Sequence, residues 1–350
     1  MKRVLKVIFI SIIIAFGVFL FINTGRQSEN KVLKNPVRIV YVTDDKYVIP
    51  LRASIKSLIS NKNPQTELEI NVIGVNLSDK NIKKIQSARQ NKININILKL
   101  DNKYLDFEGG ADLNPLVSRA DTAKFFLSSI LSGIDRVIYL DGDTVVLGDL
   151  SDLYNTDLKD KYLAVTDDLQ TLYEKEDKKE RYFNNGVMLI DLKKFRGDKI
   201  DDKLQDYKIN DMLKRFVTQD AYNNVLYGKV VYVPMIYDTF APIYEDKNVL
   251  NYIEKVLGKH YNPDLYPYKN QKEYQDNVKI IHYCGYCNIK PWWEFMPEYR
   301  ANRIWYKYAP LDYWKNLLSG KKVKYKKCNL LRWQEEAEQR EKEARKKYRK

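Results

Sequence analysis

The sequence predicts an α/β protein built on a parallel sheet, and three observations carry that prediction. From Val37 onward, short apolar runs alternate with longer amphipathic ones. The apolar runs have the length of strands, and the segments between them are long enough for crossover helices. Residues 37–42 read as a buried strand, and a helix follows over 50–60, where Leu51, Ile55, Leu58 and Ile59 recur at helical spacing. A second strand at 68–75, a helix at 79–89 and a third strand at 93–100 come next, then a helix at 122–131 and a strand at 136–140. Past Asp149 the rhythm loosens: a strand near 162–166, a polar loop at 174–181, a strand at 186–190, a helix at 219–226, and strands near 229–233 and 278–282. Strands separated by helices pair in parallel, and the ligand crevice of such a sheet opens at the carboxyl ends of its strands. There is no internal repeat and no linker rich in Pro or Ser. The simplest organisation is an anchor and stem at 1–34, one catalytic-sized domain at 35–310 and a basic tail at 311–350.

Composition narrows the class. Of 350 residues 44% are hydrophobic and 13% aromatic, enough to bury a core and to exclude disorder as the main state. Fourteen Gly and eleven Pro are too few for a fibrous chain. Three cysteines cannot staple a fold of this size. The net charge is +14, from 60 Lys and Arg against 46 Asp and Glu, but it sits at the ends. Residues 1–34 carry +5 and residues 321–350 carry +8, which leaves +1 for everything between. A protein that reads nucleic acid concentrates charge on its folded face, so nucleic acid is not an expected partner. Basic ends suit an anionic membrane surface better.

The ends have distinct characters. After Lys2, Arg3 and Lys6, residues 7–22 form an apolar run, which with Val4 and Leu5 approaches the ~20 residues a membrane-spanning helix needs. No small-x-small cleavage site follows at 21–25, so an uncleaved single-pass anchor is expected over a removed signal. At the other end, Glu336/Arg340, Glu338/Lys342, Glu341/Arg345 and Glu343/Lys347 place each acid four residues ahead of a base, the orientation that supports an exposed charged helix.

Two spots carry chemistry. Asp141, Gly142 and Asp143 directly follow the strand at 136–140, and two carboxylates separated by a glycine can point at one hard cation. Asp-Gly-Asp is also a common turn, and both readings stand at this point. The second spot is His282, Tyr283, Cys284 and Gly285, again at a strand end, with Lys290, Pro291 and Trp292 close behind. The chain has two histidines; this one either supplies a nitrogen ligand to the same cation or is structural, and Lys290 can neutralise a phosphate. Cys284 and Cys287 form a Cys-x-x-Cys without a second ligand pair or a thioredoxin-like context, and are read as incidental.

Together these pieces resemble glycosyltransferase family 8, the retaining enzymes that include bacterial lipopolysaccharide glucosyl- and galactosyltransferases and glycogenin. The resemblance runs from Val37 to Trp293. It is carried by Thr43-Asp44-Asp45-Lys46-Tyr47, Thr122-Ala123-Lys124, Tyr139-Leu140-Asp141-Gly142-Asp143, Phe183-Asn184-Asn185-Gly186-Val187, Gln219-Asp220 and the block from His282 and Gly285 to Lys290-Pro291-Trp292. It implies a GT-A type fold, Rossmann-like, with a mixed or parallel sheet. It further implies that Asp44 and Tyr47 hold a uracil base, and that Asp141, Asp143 and His282 ligate Mn²⁺, with Mg²⁺ as the other option. Lys124 then lies near the donor sugar and diphosphate, with Gly142 between the metal-binding aspartates. Asn184 and Gln219 line the anomeric carbon, and Gly285 and Lys290 close over the diphosphate. Three positions depart from the pattern: Thr218 stands where the family shows an acid before the glutamine, Lys46 where the galactosyltransferases have Asn, and four residues rather than two separate Gly285 from Lys290. The last departure predicts a displaced lysine or a bulged loop.

The expected activity is transfer of a hexose from UDP-galactose or UDP-glucose to a glycan or glycolipid acceptor, by same-face attack with Gln219, Lys124 and Lys290 assisting. Asp220 is the carboxylate to watch as an alternative nucleophile. The rivals from other classes are an inactive nucleotide-sugar-binding membrane scaffold and, suggested only by the net charge of +14, a nucleic-acid-binding protein. A bacterial inner membrane, cytoplasmic face, is the expected location. A Golgi lumen is the eukaryotic alternative, in which the Asn76-Leu77-Ser78 sequon would matter.

Overall fold

The computed structural model describes residues 33–100, 119–174, 181–210, 217–284 and 290–319. The apolar run at 7–22, the charged helix expected beyond Arg332, most of the 174–181 loop, and Gly285 lie outside the described residues. No helix among the described residues is long and apolar enough to cross a membrane.

Ten strands are present among them: β1 (Val37–Asp44), β2 (Leu68–Val75), β3 (Ile93–Lys99), β4 (Arg136–Leu140), β5 (Thr144–Val146), β6 (Leu163–Val165), β7 (Val187–Asp191), β8 (Val230–Tyr232), β9 (Thr239–Phe240) and β10 (Ile280–His282). Seven form one sheet in the order β3-β2-β1-β4-β7-β6-β8, and a smaller sheet runs β5-β10-β9. The expected α/β fold is therefore present, with one correction to its pairing. β1 is parallel to β2 and β4, but β7 runs antiparallel to both β4 and β6. The reversal has a consequence for the crevice. Residues preceding an antiparallel strand lie at the same edge as residues following its neighbours, so Asn184–Gly186 arrive beside Asp141, where an all-parallel sheet would have sent them to the far side.

The alternation of side chains along each strand fills both faces. Ile39, Tyr41, Ile138, Leu140, Val187 and Leu189 pack on one face with Leu51, Ile55 and Leu58 of helix α1 (Val48–Asn61). Val40, Val42, Val137, Tyr139, Met188 and Ile190 pack on the other, against Phe125, Phe195 and Tyr222. The single helix expected over 122–131 is instead three short turns, Arg119–Thr122, a 3₁₀ turn at Ala123–Phe126, and Leu127–Ile130. All four residues of the 3₁₀ turn are buried, including Lys124, which a continuous amphipathic helix would not achieve.

A third apolar cluster surrounds the small sheet, joining Val145, Phe240 and Ile281 to Ile253, Trp305 and Tyr313. α1 serves it with polar side chains: Ser57 Oγ accepts from Val146 N at 2.8 Å, and Asn61 Nδ2 donates to Val146 O at 2.9 Å. The outer edge of β5 is thus covered by a helix. Helix α2 (Asp79–Gln86) and the final described helix, α3 (Leu311–Leu318), are joined electrostatically, because Asp312 accepts from both Arg52 Nη1 and Lys84 Nζ at 2.7 Å.

Partial burial would raise the Asp312 carboxyl, but Lys84 and Arg52 outweigh it and hold it below the ordinary value. A carboxyl depressed on folding contributes stability that is present above its unfolded pKa and is lost as pH falls through the folded one. Asp312→Asn is therefore expected to cost about 1 kcal/mol at pH 7, a value suited to a partly solvated network. In urea denaturation the gap from the wild type should close below about pH 4, where the unfolded-state carboxyl titrates. A gap independent of pH would show that packing, not charge, sets it.

Candidate active site

The site is built where the two sheets meet. β4 ends at Leu140, the Asp141-Gly142-Asp143 segment crosses the gap, and β5 begins the small sheet at Thr144. Thr144 lies opposite His282 in the β5–β10 pair, and Tyr283 N donates to Asp143 O at 2.9 Å. This register sets the imidazole beside the aspartates: His282 Nε2 is 3.3 Å from Asp143 Oδ1 and 3.7 Å from Asp141 Oδ2. One ligand atom from each of Asp141, Asp143 and His282 falls within a 4.8 Å group. Two carboxylates and an imidazole suit a hard or borderline dication.

The crossing segment is held from beneath by a hydroxyl relay. Thr144 Oγ1 donates to Asp141 O at 2.9 Å and so accepts from Ser54 Oγ at 2.9 Å, which in turn accepts from Tyr41 OH at 3.0 Å. Asp141 N donates to Gly186 O at 2.7 Å, and Tyr139 OH donates to Asp141 Oδ1 at 2.6 Å.

Two glycines border the aspartates, and the structure distinguishes them. A Cβ on Gly142 would meet the Tyr47 ring at 3.4 Å, an ordinary contact. A Cβ on Gly186 would come within 2.3 Å of His282 Cε1 and 2.7 Å of Asp141 Oδ2. The close approach of the three ligands therefore depends on Gly186, whereas the sequence had drawn attention to Gly142 for this purpose.

The electrostatics follow from burial. Lys290 Nζ donates to Asp143 Oδ2 at 2.5 Å and to Tyr283 O, so the longer segment before it has not removed it from the site. Tyr47 OH donates to the same Asp143 oxygen at 3.3 Å, and the Tyr47 ring sits edge-on to Trp292. Burial pushes the Asp143 carboxyl up, but Lys290 and His282 hold it far below the ordinary range. Burial opposes an imidazolium at His282, yet Asp238 and Asp143 push its pKa up to about 10. Lys124 Nζ lies 3.0 Å from both Asp121 Oδ1 and Asp141 Oδ1, and these carboxylates overcome its burial to hold it above the ordinary lysine value.

A second polar cluster adjoins the first. Asn184 Nδ2 donates to Gln219 Oε1 at 3.1 Å and to Asp168 Oδ2 at 3.2 Å, and Gln219 Nε2 donates to Asp168 Oδ2 at 2.8 Å. Thr218 Oγ1 donates to Asp121 Oδ2 at 2.9 Å and accepts from Asn185 Nδ2 at 3.1 Å. Asp220 accepts from Tyr182 OH at 2.7 Å. At the end of β1, Asp44 Oδ1 accepts from Lys46 N and Tyr47 N, orienting Tyr47 toward the aspartates. Of the residues to which the resemblance assigns a role in the site, all are described except Gly285.

Three acids were missed. Asp238 Oδ1 lies 2.9 Å from His282 Nδ1 and orients the ring, as a partner on the far nitrogen does in metal sites. Asp168 ties together the two amides, and Asp121 pairs with Lys124. Asp168 had a legible signal, since it follows the strand at 162–166. Asp238 had none, because it depends on the two-residue strand β9, which brings Phe240 opposite His282.

The comparisons with known proteins agree with this architecture. The family model "Glycosyl transferase family 8" matches residues 38–295, and the chain belongs to that family. A lipopolysaccharide 1,2-glucosyltransferase of Escherichia coli strain K12 is 27% identical over 295 residues, covering 80% of this chain and 79% of its own. General stress protein A of Bacillus subtilis is 26% identical over 269 residues, covering 73% and 87%. The galactosyltransferase LgtC, solved with donor and acceptor sugar analogues, superposes with a TM-score of 0.63 over 80% of this chain and 99% of its own, at 22% identity, a likeness of fold.

Gly186→Ala is expected to leave the far-ultraviolet circular dichroism unchanged and to weaken Mn²⁺ binding at least tenfold in a calorimetric titration, a loss of about 1.4 kcal/mol or more. Gly142→Ala should bind Mn²⁺ nearly as the wild type does. Equal losses in the two variants would overturn the distinction between the glycines.

Proposed function

We propose that the chain is a metal-dependent, retaining hexosyltransferase that moves galactose or glucose from a UDP-sugar to a glycan or glycolipid acceptor. The observation that carries this reading is the convergence of Asp141, Asp143 and His282 within 4.8 Å, between the buried ammonium groups of Lys124 and Lys290. These three residues would hold Mn²⁺ or Mg²⁺, and such an ion, when bound, supplies Lewis-acid stabilisation of charge on a departing diphosphate.

The remaining roles fall to the chain's own side chains. Lys290 and Lys124 bring positive charge that is already oriented and desolvated, so it acts on developing phosphate charge without reorganisation cost. Asp44 and Tyr47 at the end of β1 would take the uracil, with Gly142 beside the Tyr47 ring; Gly285, which lies outside the described residues, keeps the role the resemblance gives it in the segment that closes over the diphosphate. Asn184 and Gln219, locked together through Asp168, would present amides to the anomeric carbon. The acceptor hydroxyl attacks that carbon on the face the diphosphate leaves from, and its proton passes to the departing phosphate oxygen. Asp168 supports this same-face course, because its carboxylate is already engaged by Asn184, Gln219 and Thr171 N. Asp220 accepts a hydrogen bond from Tyr182 and remains the carboxylate that the variant below tests as an alternative nucleophile. Lys290's position on Asp143 supports activity over an inactive scaffold.

We place the catalytic unit at 35–310, with 1–34 as a membrane anchor and the basic tail following. The apolar run at 7–22 supports the anchor. Bacterial relatives, together with the cytosolic supply of UDP-sugars, support the cytoplasmic face of a bacterial inner membrane.

The test is UDP release by the full chain in detergent from a panel of UDP-hexoses, with Mn²⁺ and with chelator. Release from one or two donors, abolished by chelator, is expected. UDP binding without release would favour the scaffold, and no UDP binding would overturn the reading. Asp220→Ala should keep UDP affinity and lose less than about tenfold in kcat, equivalent to ~1.4 kcal/mol of barrier. A glycosyl adduct trapped on Asp220 would refute same-face attack.

A further inference from the structure

Between the metal-ligand cluster and the amide cluster lies one more carboxylate, Asp121. Its Oδ1 is 3.0 Å from Lys124 Nζ, which reaches Asp141 at the same distance. Its Oδ2 accepts from Thr218, next to Gln219. An unbroken polar chain therefore runs from Asn185 through Thr218, Asp121 and Lys124 to Asp141. The Asp121 side chain is 32% exposed, while Lys124 beneath it is 3% exposed.

Its neighbours differ in availability. Asp143, Asp168 and Asp238 are buried and bonded to His282, Lys290, Asn184 or Gln219. A carboxylate has about four lone-pair sites. Each Asp121 oxygen therefore retains capacity beyond its contact with Lys124 or Thr218. Lys124 Nζ lies at the same 3.0 Å from Asp141 as from Asp121, so the lysine fixes Asp121 without being its exclusive partner. A fixed, partly solvated carboxylate with spare acceptor sites suits a ligand rich in hydroxyl groups.

We propose that Asp121 is a specificity-determining residue that accepts hydrogen bonds from hydroxyl groups of the donor hexose, with Thr218 and Lys124 fixing its orientation. This rests on the nucleotide-sugar reading above, and it assigns the selection among hexoses to a residue before the metal-binding segment. A carboxylate accepts but does not donate, so a donor lacking the contacted hydroxyl leaves Asp121 with an unpaired site and binds less well.

The test compares calorimetric affinities of the full chain for UDP, for the preferred UDP-hexose, and for its 3-, 4- and 6-deoxy analogues, each with Mn²⁺. Wild type should disfavour one deoxy analogue by roughly 10- to 100-fold, the worth of a hydrogen bond to a charged group. Asp121→Asn and Asp121→Ala should keep the affinity for UDP and erase that discrimination, so that parent sugar and deoxy analogue bind alike. Thr218→Val, which keeps the carboxylate but frees it, should show an intermediate discrimination. Variants that weaken every ligand equally, UDP included, would make Asp121 a structural partner of Lys124 and overturn the proposal. Retention of the wild-type discrimination would overturn it as well, with the hexosyltransferase reading intact. A wild type that binds no UDP would remove that reading and this proposal together.

Discussion

The arrangement of the crevice follows from one constraint: Asp141 and Asp143 leave the large sheet and enter the small one within three residues, which buries the Asp143 carboxylate and withdraws that of Asp141, 26% exposed, part of the way from water. An unpaired carboxylate in such a place costs several kcal/mol, and removing one partner of a buried pair costs about 3–5 kcal/mol. The chain meets that cost with cations drawn from distant segments. Lys124 comes from the 3₁₀ turn at Ala123–Phe126, His282 from the end of β10, and Lys290 from beyond it. The small sheet exists in large part to deliver this pairing. Without the β5–β10 register, His282 would not lie beside Asp143.

The framework that holds the crossing segment is polar, which is unusual for the underside of a sheet. Tyr41, Ser54 and Thr144 are all buried, and each hydroxyl has a partner, ending on the carbonyl of Asp141. A satisfied relay of this kind fixes backbone position more narrowly than apolar packing would, because each hydroxyl must keep its partner or lose more than it contributes. Position matters here, since hydrogen-bond and ligand distances around Asp141 tolerate shifts of only tenths of an ångström. Gly186 sharpens the same limit from above, where even a methyl group would occupy the space of His282.

These features also explain what could be read from the sequence. β1, β2 and β4 were legible because they are buried on both faces, and such strands are near-continuous apolar runs, whereas the edge strand β3 was legible from its alternation of Ile with Asn. Asp141, Asp143 and His282 were legible because each terminates or follows a run of that kind. The direction of β7 was not, since its apolar pattern is the same read parallel or antiparallel. β5 and β9 span three and two residues, too few for any periodicity. Asp238 and Asp121 owe their importance to neighbours 44 and 97 residues away, and no local pattern marks them, while Gly186 lay inside a block of the resemblance but took its role only from His282, 96 residues on. Lys124 was found by resemblance; its burial in a broken helix contradicts the exposed position that a charged residue in an amphipathic helix normally takes.

Net charge misleads for a related reason. The segment between the basic ends is nearly neutral in sum, yet its charges are sorted. Asp121, Asp141, Asp143, Asp168 and Asp238 converge on the crevice, and against them stand Lys124, His282 and Lys290. Five carboxylates opposed by three cations leave an excess of two negative charges, even with His282 protonated. That negative excess lies where the three candidate ligands converge, and it grows when His282 gives up its proton to serve as a ligand. Apolar walls lower the local dielectric, so the excess acts more strongly there than the same charges would on an open surface. The sum of the charges and the geometry of three residues therefore both favour a cation in the crevice.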